Sequence, residues 1–265
     1  MKNIVRVSSA VLTSTVLLWS QPAAPPERVR GYLTSDQTSS VVRIVPPAPT
    51  TGDARYQADM AIFRDTRSLE GSARWTLAQS DDTLSTIGLL RAFRCALGLT
   101  LTPDNAPALT ALLQRANSDA GAAVNVLKVR YQHKRPFQVA EGDVCVSQRN
   151  KASLERSPDY ASKHAGLGWE TGLILAALVP EVASEVLARG RAFGQSRIVC
   201  GVHNTSAVEA GWMAAAAIFS MQASSPEFRK DFDAARTELS DLRVRTKSKL
   251  AGCRSEAEAL STNPY

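Results

Sequence analysis

Three separated blocks of the sequence carry residue types that can hold a phosphate group and cleave its ester bond. Between them, the blocks contain fixed cations, a hydroxyl and two imidazoles, and each block is well separated from the next along the chain. The candidate site residues are Lys128, Arg135, Ser162, Lys163, His164, Arg197 and His203. Cations and hydroxyls bind the oxygens of a phosphate dianion, and an imidazole attacks phosphorus or transfers a proton. Together these residues predict covalent phosphate chemistry that requires no metal ion.

The first block places two cations, Lys128 and Arg135, seven residues apart. Seven residues make about two helical turns, so both side chains fall near one face if the helix persists. Pro136 disfavours helix at the preceding residue, which places the guanidinium at a helix end. Because Arg130 and Lys134 lie close by, an ordinary solvated basic face is the alternative interpretation of this block alone.

The second block, from Ser162 to His164, directly precedes an apolar run that begins near Ala165. The start of a helix offers unpaired N–H groups and a partial positive charge, and both favour a bound anion. Ser162 adds a hydroxyl donor to the same place. A histidine at a helix start is also commonly a cap or a surface residue, so this block by itself is weak evidence of function.

The third block ends one predicted helix at Ser196-Arg197 and places His203 just before another. Ser206 and Glu209 have the spacing of a capping box, which predicts Ser206 as the N-cap of the following helix. His203 is therefore expected near the positive end of that helix. Each block has an ordinary structural explanation, but their joint occurrence in this order is much harder to explain that way.

The segments around these blocks show helical rather than strand periodicity. Apolar residues recur at three- and four-residue steps, as expected of amphipathic and buried helices. Helices are predicted over residues 84–97, from Thr102-Pro103 to about 116, over 165–187 with a break at Pro180, over 208–221 and over 226–250. The sequence thus predicts one all-α domain over residues 56–265. Residues 25–55 are rich in Pro, Thr and Ser and predict an extended leader, in which 41–45 is the only strand-like run.

The amino terminus has the composition of an export signal. Lys2 and Arg6 form a basic start, an apolar stretch covers about 7–19, and small residues follow at 23–24. We expect residues 1–24 to be a signal peptide that directs the protein to the periplasm; a buried N-terminal helix is the alternative. Its removal lowers the net charge by two from +6. The mild excess that remains suits anionic small molecules better than nucleic acid, and no membrane-spanning segment is expected.

If the protein is exported to an oxidising compartment, its four cysteines are expected to form disulfides. Cys95, Cys145, Cys200 and Cys253 allow two bonds in three connectivities, and the sequence does not choose among them. Their spacing does not match a paired zinc site, and the three histidines have no tight ligand spacing, so no metal is expected. Cys200 lies between Arg197 and His203, which makes a nucleophilic thiol an alternative, although an even cysteine count favours pairing.

In order and spacing the three blocks resemble the signature of the phosphatidic acid phosphatase type 2 (PAP2) superfamily. That signature is Lys, six residues, Arg-Pro; then Pro-Ser-Gly-His; then Ser-Arg, five residues, His, three residues and Asp. Residues 56–75 also resemble the first core helix of bacterial class A non-specific acid phosphatases, and the whole resemblance covers about 56–253. It implies a helical bundle of the PAP2 and vanadium haloperoxidase type, without a cofactor.

The resemblance implies roles for the candidate residues. His203 would attack phosphorus to form a phosphohistidine, and His164 would protonate the leaving group and then activate water. The phosphate oxygens would be held by Lys128, Arg135, Ser162, Lys163 and Arg197. The expected substrate is a small phosphomonoester, cleaved best at mildly acidic pH because one imidazole must be protonated and the other neutral. Assembly into homo-oligomers is left open.

The chain departs from the signature at three positions. Ala161 and Lys163 replace the proline and the glycine of the second block, and Ala207 replaces the final aspartate. That aspartate orients the attacking histidine and stabilises its positive charge, so a backbone carbonyl, Asn204 or Glu209 is left to do so. An active phosphatase is expected; a weakened or inactive phosphate-binding relative and a vanadate-dependent haloperoxidase are the alternatives.

Overall fold

The computed structural model describes residues 29–245 and 250–265, and these ranges hold α-helices, short 3-10 turns and no strand. The predicted signal peptide, residues 1–24, lies outside them. The all-α prediction is confirmed for the part of the chain that is described. The helices are α1 (Ser35–Ser39), α2 (Ala54–Thr66), α3 (Ala73–Ser80), α4 (Thr86–Ala92), α5 (Arg94–Leu97), α6 (Pro107–Tyr131), α7 (Gln148–Glu155), α8 (Lys163–Leu178), α9 (Ala183–Val199), α10 (Thr205–Gln222), α11 (Pro226–Arg245) and α12 (Cys253–Leu260).

The apolar helix α8 forms the centre of the bundle and packs against α6, α9 and α10. Small residues let these helices approach closely. At Gly211 of α10, a side-chain carbon would lie 2.5 Å from the carbonyl oxygen of Ser162, at the start of α8. At Gly168 of α8, it would lie 2.4 Å from the ring of Phe193 in α9. Glycine at these two positions therefore brings together the helix ends that carry the three blocks.

Two disulfides settle the cysteine connectivity. Cys95 pairs with Cys253 and Cys145 pairs with Cys200. The second bond attaches the segment before α7 to the end of α9, close to the third block. Because Cys200 is bonded, the alternative of a nucleophilic thiol is wrong. In a chain-entropy model, the loops of 158 and 55 residues contribute about 5 and about 4 kcal/mol by restricting the unfolded chain.

Two local predictions are wrong. The strand-like run at 41–45 lies mostly in a 3-10 turn, Ser40–Arg43, because Val41 and Val45 both insert into the core there. The helix predicted from Thr102 begins only at Pro107. Before it, the amide of Thr102 donates to the side chain of Asn105 at 2.8 Å, which closes a turn instead of a helix.

The Pro-rich segment before α2 is attached to the helical body by specific contacts. The amide of Tyr32 donates to Asp119 Oδ2 at 2.8 Å, and its ring packs edge-on against Phe228. Further along, the carbonyl of Pro46 accepts the hydroxyl proton of Tyr160 at 2.6 Å. Among the described helices, none is long and apolar enough to cross a membrane.

Candidate active site

The starts of α8 and α10 meet the ends of α6 and α9 at one place in the bundle. Ser162 caps α8, with its Oγ accepting from the amide of Ala165 at 3.3 Å. The amide of Ser162 donates to the carbonyl of Ala207 in α10 at 2.8 Å. Helix α10 begins at Thr205 with Asn204 at its N-cap position. These contacts direct the positive ends of two helices toward the same place.

The predicted capping box at the start of α10 is wrong. Ser206 lies inside the helix, and its hydroxyl donates to the buried carboxylate of Asp59 at 2.5 Å. Glu209 is exposed to solvent. The Ser206 hydroxyl, which the sequence pattern assigned to capping α10, is therefore bound to the carboxylate of Asp59 on α2.

His203 is buried between an acceptor and a donor, which determines its tautomer. Its Nδ1 lies 2.7 Å from Asp159 Oδ1, and its Nε2 lies 3.0 Å from Arg135 Nη1. A carboxylate only accepts and a guanidinium only donates, so the proton is assigned to Nδ1 and the lone pair to Nε2. Burial, followed by the charge of Arg135, lowers the pKa of His203 well below its ordinary value. The site thus contains a neutral imidazole with an unprotonated Nε2.

Asp159 was not among the residues that the sequence singled out. It is fully buried and contacts His203 through Oδ1, while its Oδ2 accepts from Asn204 Nδ2 at 2.8 Å and lies 3.3 Å from His133 Nδ1. Burial by itself would raise the pKa of Asp159, but the hydrogen bonds from His133 and His203 hold it below its usual range. Asn204, one of the three candidates for orienting His203, contacts this carboxylate and not the imidazole.

Arg135 and Arg197 are both buried, but their donors are used differently. Arg135 is anchored by backbone carbonyls, including those of Leu154 and Val202 at 2.9 and 2.7 Å. The three nitrogens of Arg197 have no hydrogen-bond acceptor within the described residues, and Nη2 forms an ion pair with Asp82 Oδ1 at 3.1 Å. Arg197 is therefore the cation with donors left for an incoming anion.

Lys128 reaches the loop that carries Asp159. Its ammonium group donates to the carbonyl of Pro158 and lies 3.4 Å from the carbonyl of Asp159. Burial, followed by the nearby charge of Arg135, lowers the pKa of Lys128 to about 7. This cation is therefore charged at acidic pH and loses its proton as the pH rises through neutrality.

Lys163 adopts ordinary helical backbone geometry in place of the signature glycine. Among the described non-glycine residues, only Gln132 has a positive φ, so position 163 does not require glycine for that reason. Its side chain lies against α6, where a side-chain carbon at Gly121 would come within 3.2 Å of Lys163 Cε. Glycine at 121 thus leaves room for the lysine, whose charge also contributes to lowering the pKa of Lys128.

His164 lies at a more open part of the site. Its Nε2 is 3.5 Å from Asp82 Oδ1, and Asp82 in turn accepts from Asn150 Nδ2 at 3.0 Å. A cavity of about 250 Å³ is lined by His164 together with Asp82, Leu84, Asn150, Ser153 and Leu154. Burial and the charge of Arg197 lower the pKa of His164 to about 4, while Asp82 acts in the opposite direction. Asp82 is the second carboxylate that the sequence did not reveal.

The structure thus brings all three blocks together around two imidazoles. The site combines a buried cation whose nitrogens lack hydrogen-bond acceptors, Arg197, an imidazole with an unprotonated Nε2, His203, and a second imidazole that lines a cavity, His164. Within residues 29–245 and 250–265, no group of three or more His, Cys, Asp or Glu side chains is arranged to hold a metal ion.

Comparisons with known proteins identify the family to which this fold and site belong. The sequence profile of the PAP2 superfamily matches residues 108–229, a range that contains every candidate site residue. An acid phosphatase of Zymomonas mobilis subsp. mobilis is 36% identical over 198 residues, which cover 75% of this chain and 75% of that protein. Non-specific acid phosphatases of Providencia stuartii and Salmonella typhimurium are 32% and 29% identical over 213 and 216 residues, or 80% and 81% of this chain and 86% of each relative. The chain belongs to the PAP2 superfamily and is homologous to bacterial non-specific acid phosphatases.

Proposed function

We propose that this protein is an acid phosphatase that hydrolyses small phosphate monoesters through a phosphohistidine on His203. The observation that carries the proposal is the tautomer of His203, because its lone pair on Nε2 faces the guanidinium of Arg135 and its proton on Nδ1 faces the carboxylate of Asp159. The family relationship and the names of the relatives agree with this reaction.

In the first half of the reaction, His203 Nε2 attacks phosphorus in line with the leaving oxygen. The N–P bond forms as the P–O bond to the leaving group breaks, and protonated His164 gives its proton to that oxygen. In the second half, His164 takes a proton from water, which attacks the phosphohistidine and releases inorganic phosphate. His164 lines the cavity of about 250 Å³, so a leaving group can enter and water can replace it there.

The cations would stabilise charge on the three equatorial oxygens. Arg197 contributes free donors, Arg135 contributes a guanidinium already fixed by carbonyls, and Lys128 adds a charge below neutral pH. One such preorganised donor is typically worth about 3–4 kcal/mol in the transition state. Ser162 and the amides at the start of α8 complete the oxygen-binding groups, and Lys163 supplies positive potential from the side of α6. Neither this chemistry nor these groups call for a metal or a cofactor.

Acidic pH would favour this site for two reasons. His164 must be protonated to act as an acid, and its pKa of about 4 in the free site rises when a phosphate dianion binds beside it. Lys128 must be charged to hold phosphate, and it loses its proton as the pH rises through about 7. Both effects lower activity on the alkaline side.

We also propose that the protein is exported to the periplasm by residues 1–24, with 25–55 as a leader before the catalytic domain at 56–265. The N-terminal composition and the two disulfides support this proposal, since disulfides persist in oxidising compartments. Amino-terminal sequencing of the protein recovered from the periplasmic fraction tests it. An intact residue 1 on the mature protein would contradict it.

The test of the proposed reaction is hydrolysis of a chromogenic phosphomonoester by the mature protein between pH 4 and 8, with and without EDTA. We expect turnover that resists EDTA, that is highest at acidic pH and that disappears in His203→Ala. Quenching in alkaline detergent with a radiolabelled substrate should trap a phosphoryl label that is stable in alkali, is lost in acid and is absent from the variant. Phosphate binding without turnover would indicate an inactive relative, and halide oxidation that depends on bound vanadate would indicate a haloperoxidase.

A further inference from the structure

We propose that Asp159 is the positioning residue for His203 and does the work that the family signature assigns to an aspartate at position 207. This inference rests on the proposed function of His203. The side chain of Ala207 has no acceptor for a hydrogen bond from Nδ1, and its backbone carbonyl accepts from the amide of Ser162 at 2.8 Å. The carboxylate has therefore moved from α10 to the loop that precedes α8.

The geometry of Asp159 is that of a group fixed in place before the reaction. Its Oδ1 accepts from His203 Nδ1 at 2.7 Å and from the amide of Asn204 at 3.3 Å. Its Oδ2 accepts from the side-chain amide of Asn204 at 2.8 Å, and its own backbone amide donates to the carbonyl of His133 at 2.8 Å. Both oxygens and the main chain are thus held, so the carboxylate keeps the His203 ring in one orientation and one tautomer.

A lone carboxylate that is fully buried would be strongly unfavourable, and His133 offsets its charge. The ring of His133 lies between two acceptors, with Nδ1 3.3 Å from Asp159 Oδ2 and Nε2 3.1 Å from the carbonyl of Pro49. Neither partner can donate, so both ring nitrogens bear protons and His133 is an imidazolium. The hydrogen bond to Asp159 also raises the pKa of His133. The third histidine of the chain thereby keeps Asp159 ionised while His203 is neutral.

The carboxylate of Asp159 is expected to have its largest effect when His203 becomes phosphorylated. When Nε2 bonds to phosphorus while Nδ1 keeps its proton, the imidazole of His203 becomes positively charged. That charge develops 2.7 Å from the ionised Oδ1 of Asp159, and both side chains are buried. Asp159 thus stabilises the transition state and the intermediate more than the ground state, which is expected to appear in the rate of phosphorylation and not in substrate binding.

The experiment compares Asp159→Asn with Asp59→Asn in rapid-quench phosphorylation assays. Asp59 is a matched control, because it is also a buried carboxylate and bonds Ser206 of α10, but it does not contact His203. We expect Asp159→Asn to slow phosphoenzyme formation by roughly 10²–10⁴-fold with an inhibition constant for phosphate within about threefold of wild type. Asp59→Asn is expected to keep its rate within about threefold. A folded Asp159→Asn variant with a wild-type phosphorylation rate would overturn the proposal.

A second measurement needs no variant. Nitrogen-15 NMR of the wild-type protein, with its histidines labelled, reads the protonation of each ring nitrogen whether or not the protein turns over substrate. We expect His203 with a proton on Nδ1 only and His133 with protons on both nitrogens at pH 6. A proton on His203 Nε2 would overturn the role of Asp159 directly. Absence of wild-type turnover with the expected tautomer would instead refute the proposed function and leave the geometry of the pair intact.

Discussion

The two imidazoles of this site each face a carboxylate, but their surroundings differ. His203 lies 4% exposed, with Asp159 Oδ1 2.7 Å from its Nδ1 and Arg135 Nη1 3.0 Å from its Nε2. His164 lines a cavity, and its carboxylate, Asp82, is 3.5 Å away and shared with Arg197. The first pair is a fixed arrangement and the second can rearrange when an anion enters. A histidine that forms a bond to phosphorus needs a fixed ring, whereas one that exchanges protons with leaving groups and water needs access.

The largest expected difference between His203 and His164 is in how far the effect of replacing each residue depends on the leaving group of the substrate. His203→Ala should abolish hydrolysis of every substrate, by at least roughly 10⁴-fold. His164→Ala should slow esters of aliphatic alcohols by about 10²–10⁴-fold and affect nitrophenyl phosphate far less, since nitrophenolate leaves without a proton. Steady-state kinetics over a series of leaving groups checks this. Equal losses across the series for His164→Ala would contradict its role as the acid.

The second expected effect concerns the cations. Arg197→Ala should lower kcat/KM by about 10²–10³-fold, because its guanidinium has no hydrogen-bond acceptor in the free site apart from the ion pair of Nη2 with Asp82, which leaves donors for the phosphate oxygens. Lys134→Ala removes an exposed cation beside Arg135 and should leave kcat/KM within about twofold, despite the same change in net charge. Equal losses in the two variants would show that general electrostatic attraction, and not a specific contact, is responsible.

The proposal that Asp159 replaces the signature aspartate can be tested by returning a carboxylate to position 207. In the Asp159→Asn background, adding Ala207→Asp should raise the phosphorylation rate by about tenfold, because a carboxylate returns to the position in the family signature. Circular dichroism establishes that both variants are folded before rates are compared. Folded variants with equal rates would show that positions 159 and 207 are not interchangeable.

Asp82 gives a smaller effect with a defined sign. Asp82 raises the pKa of His164, so Asp82→Asn should lower that pKa further and move the alkaline limb of kcat to lower pH. The same change frees Arg197 and should tighten inhibition by phosphate several-fold. A pH–rate profile and inhibition constants measure the two effects. Glu155→Gln, an exposed carboxylate of α7, is the control and should change neither. An alkaline limb shifted to higher pH would contradict the assignment.

The smallest effect is expected at Lys128. Its pKa of about 7 means that KM for a phosphomonoester should rise by several-fold between pH 6 and 8 as the ammonium loses its proton. Lys128→Arg should flatten this rise, because guanidinium keeps its proton throughout that range. KM measured at several pH values decides between the two behaviours, and a rise that persists unchanged in the variant would place its origin in another group.

Local sequence patterns predicted most helices and the approximate limits of the three blocks, because helical periodicity and proline act within a few residues. The small-residue helix predicted over 208–221 is α10, and the break expected at Pro180 separates α8 from α9. The same local reasoning failed at Thr102, where a turn closed by Asn105 precedes the helix, and at 41–45, where burial of two valines decides the conformation.

The sequence by itself determined which residue types are available for phosphate chemistry and in what order they occur. It did not determine the partners of the two imidazoles, the pairing of the cysteines or the location of Lys163. Asp159 and Asp82 lie 44 and 82 positions from the histidines they contact, at His203 and His164 respectively. Contacts between residues so far apart in sequence depend on how α8, α9 and α10 pack, and they cannot be predicted from the periodicity of the sequence. Only the tertiary structure places the carboxylate of Asp159, from another segment, against the Nδ1 of His203.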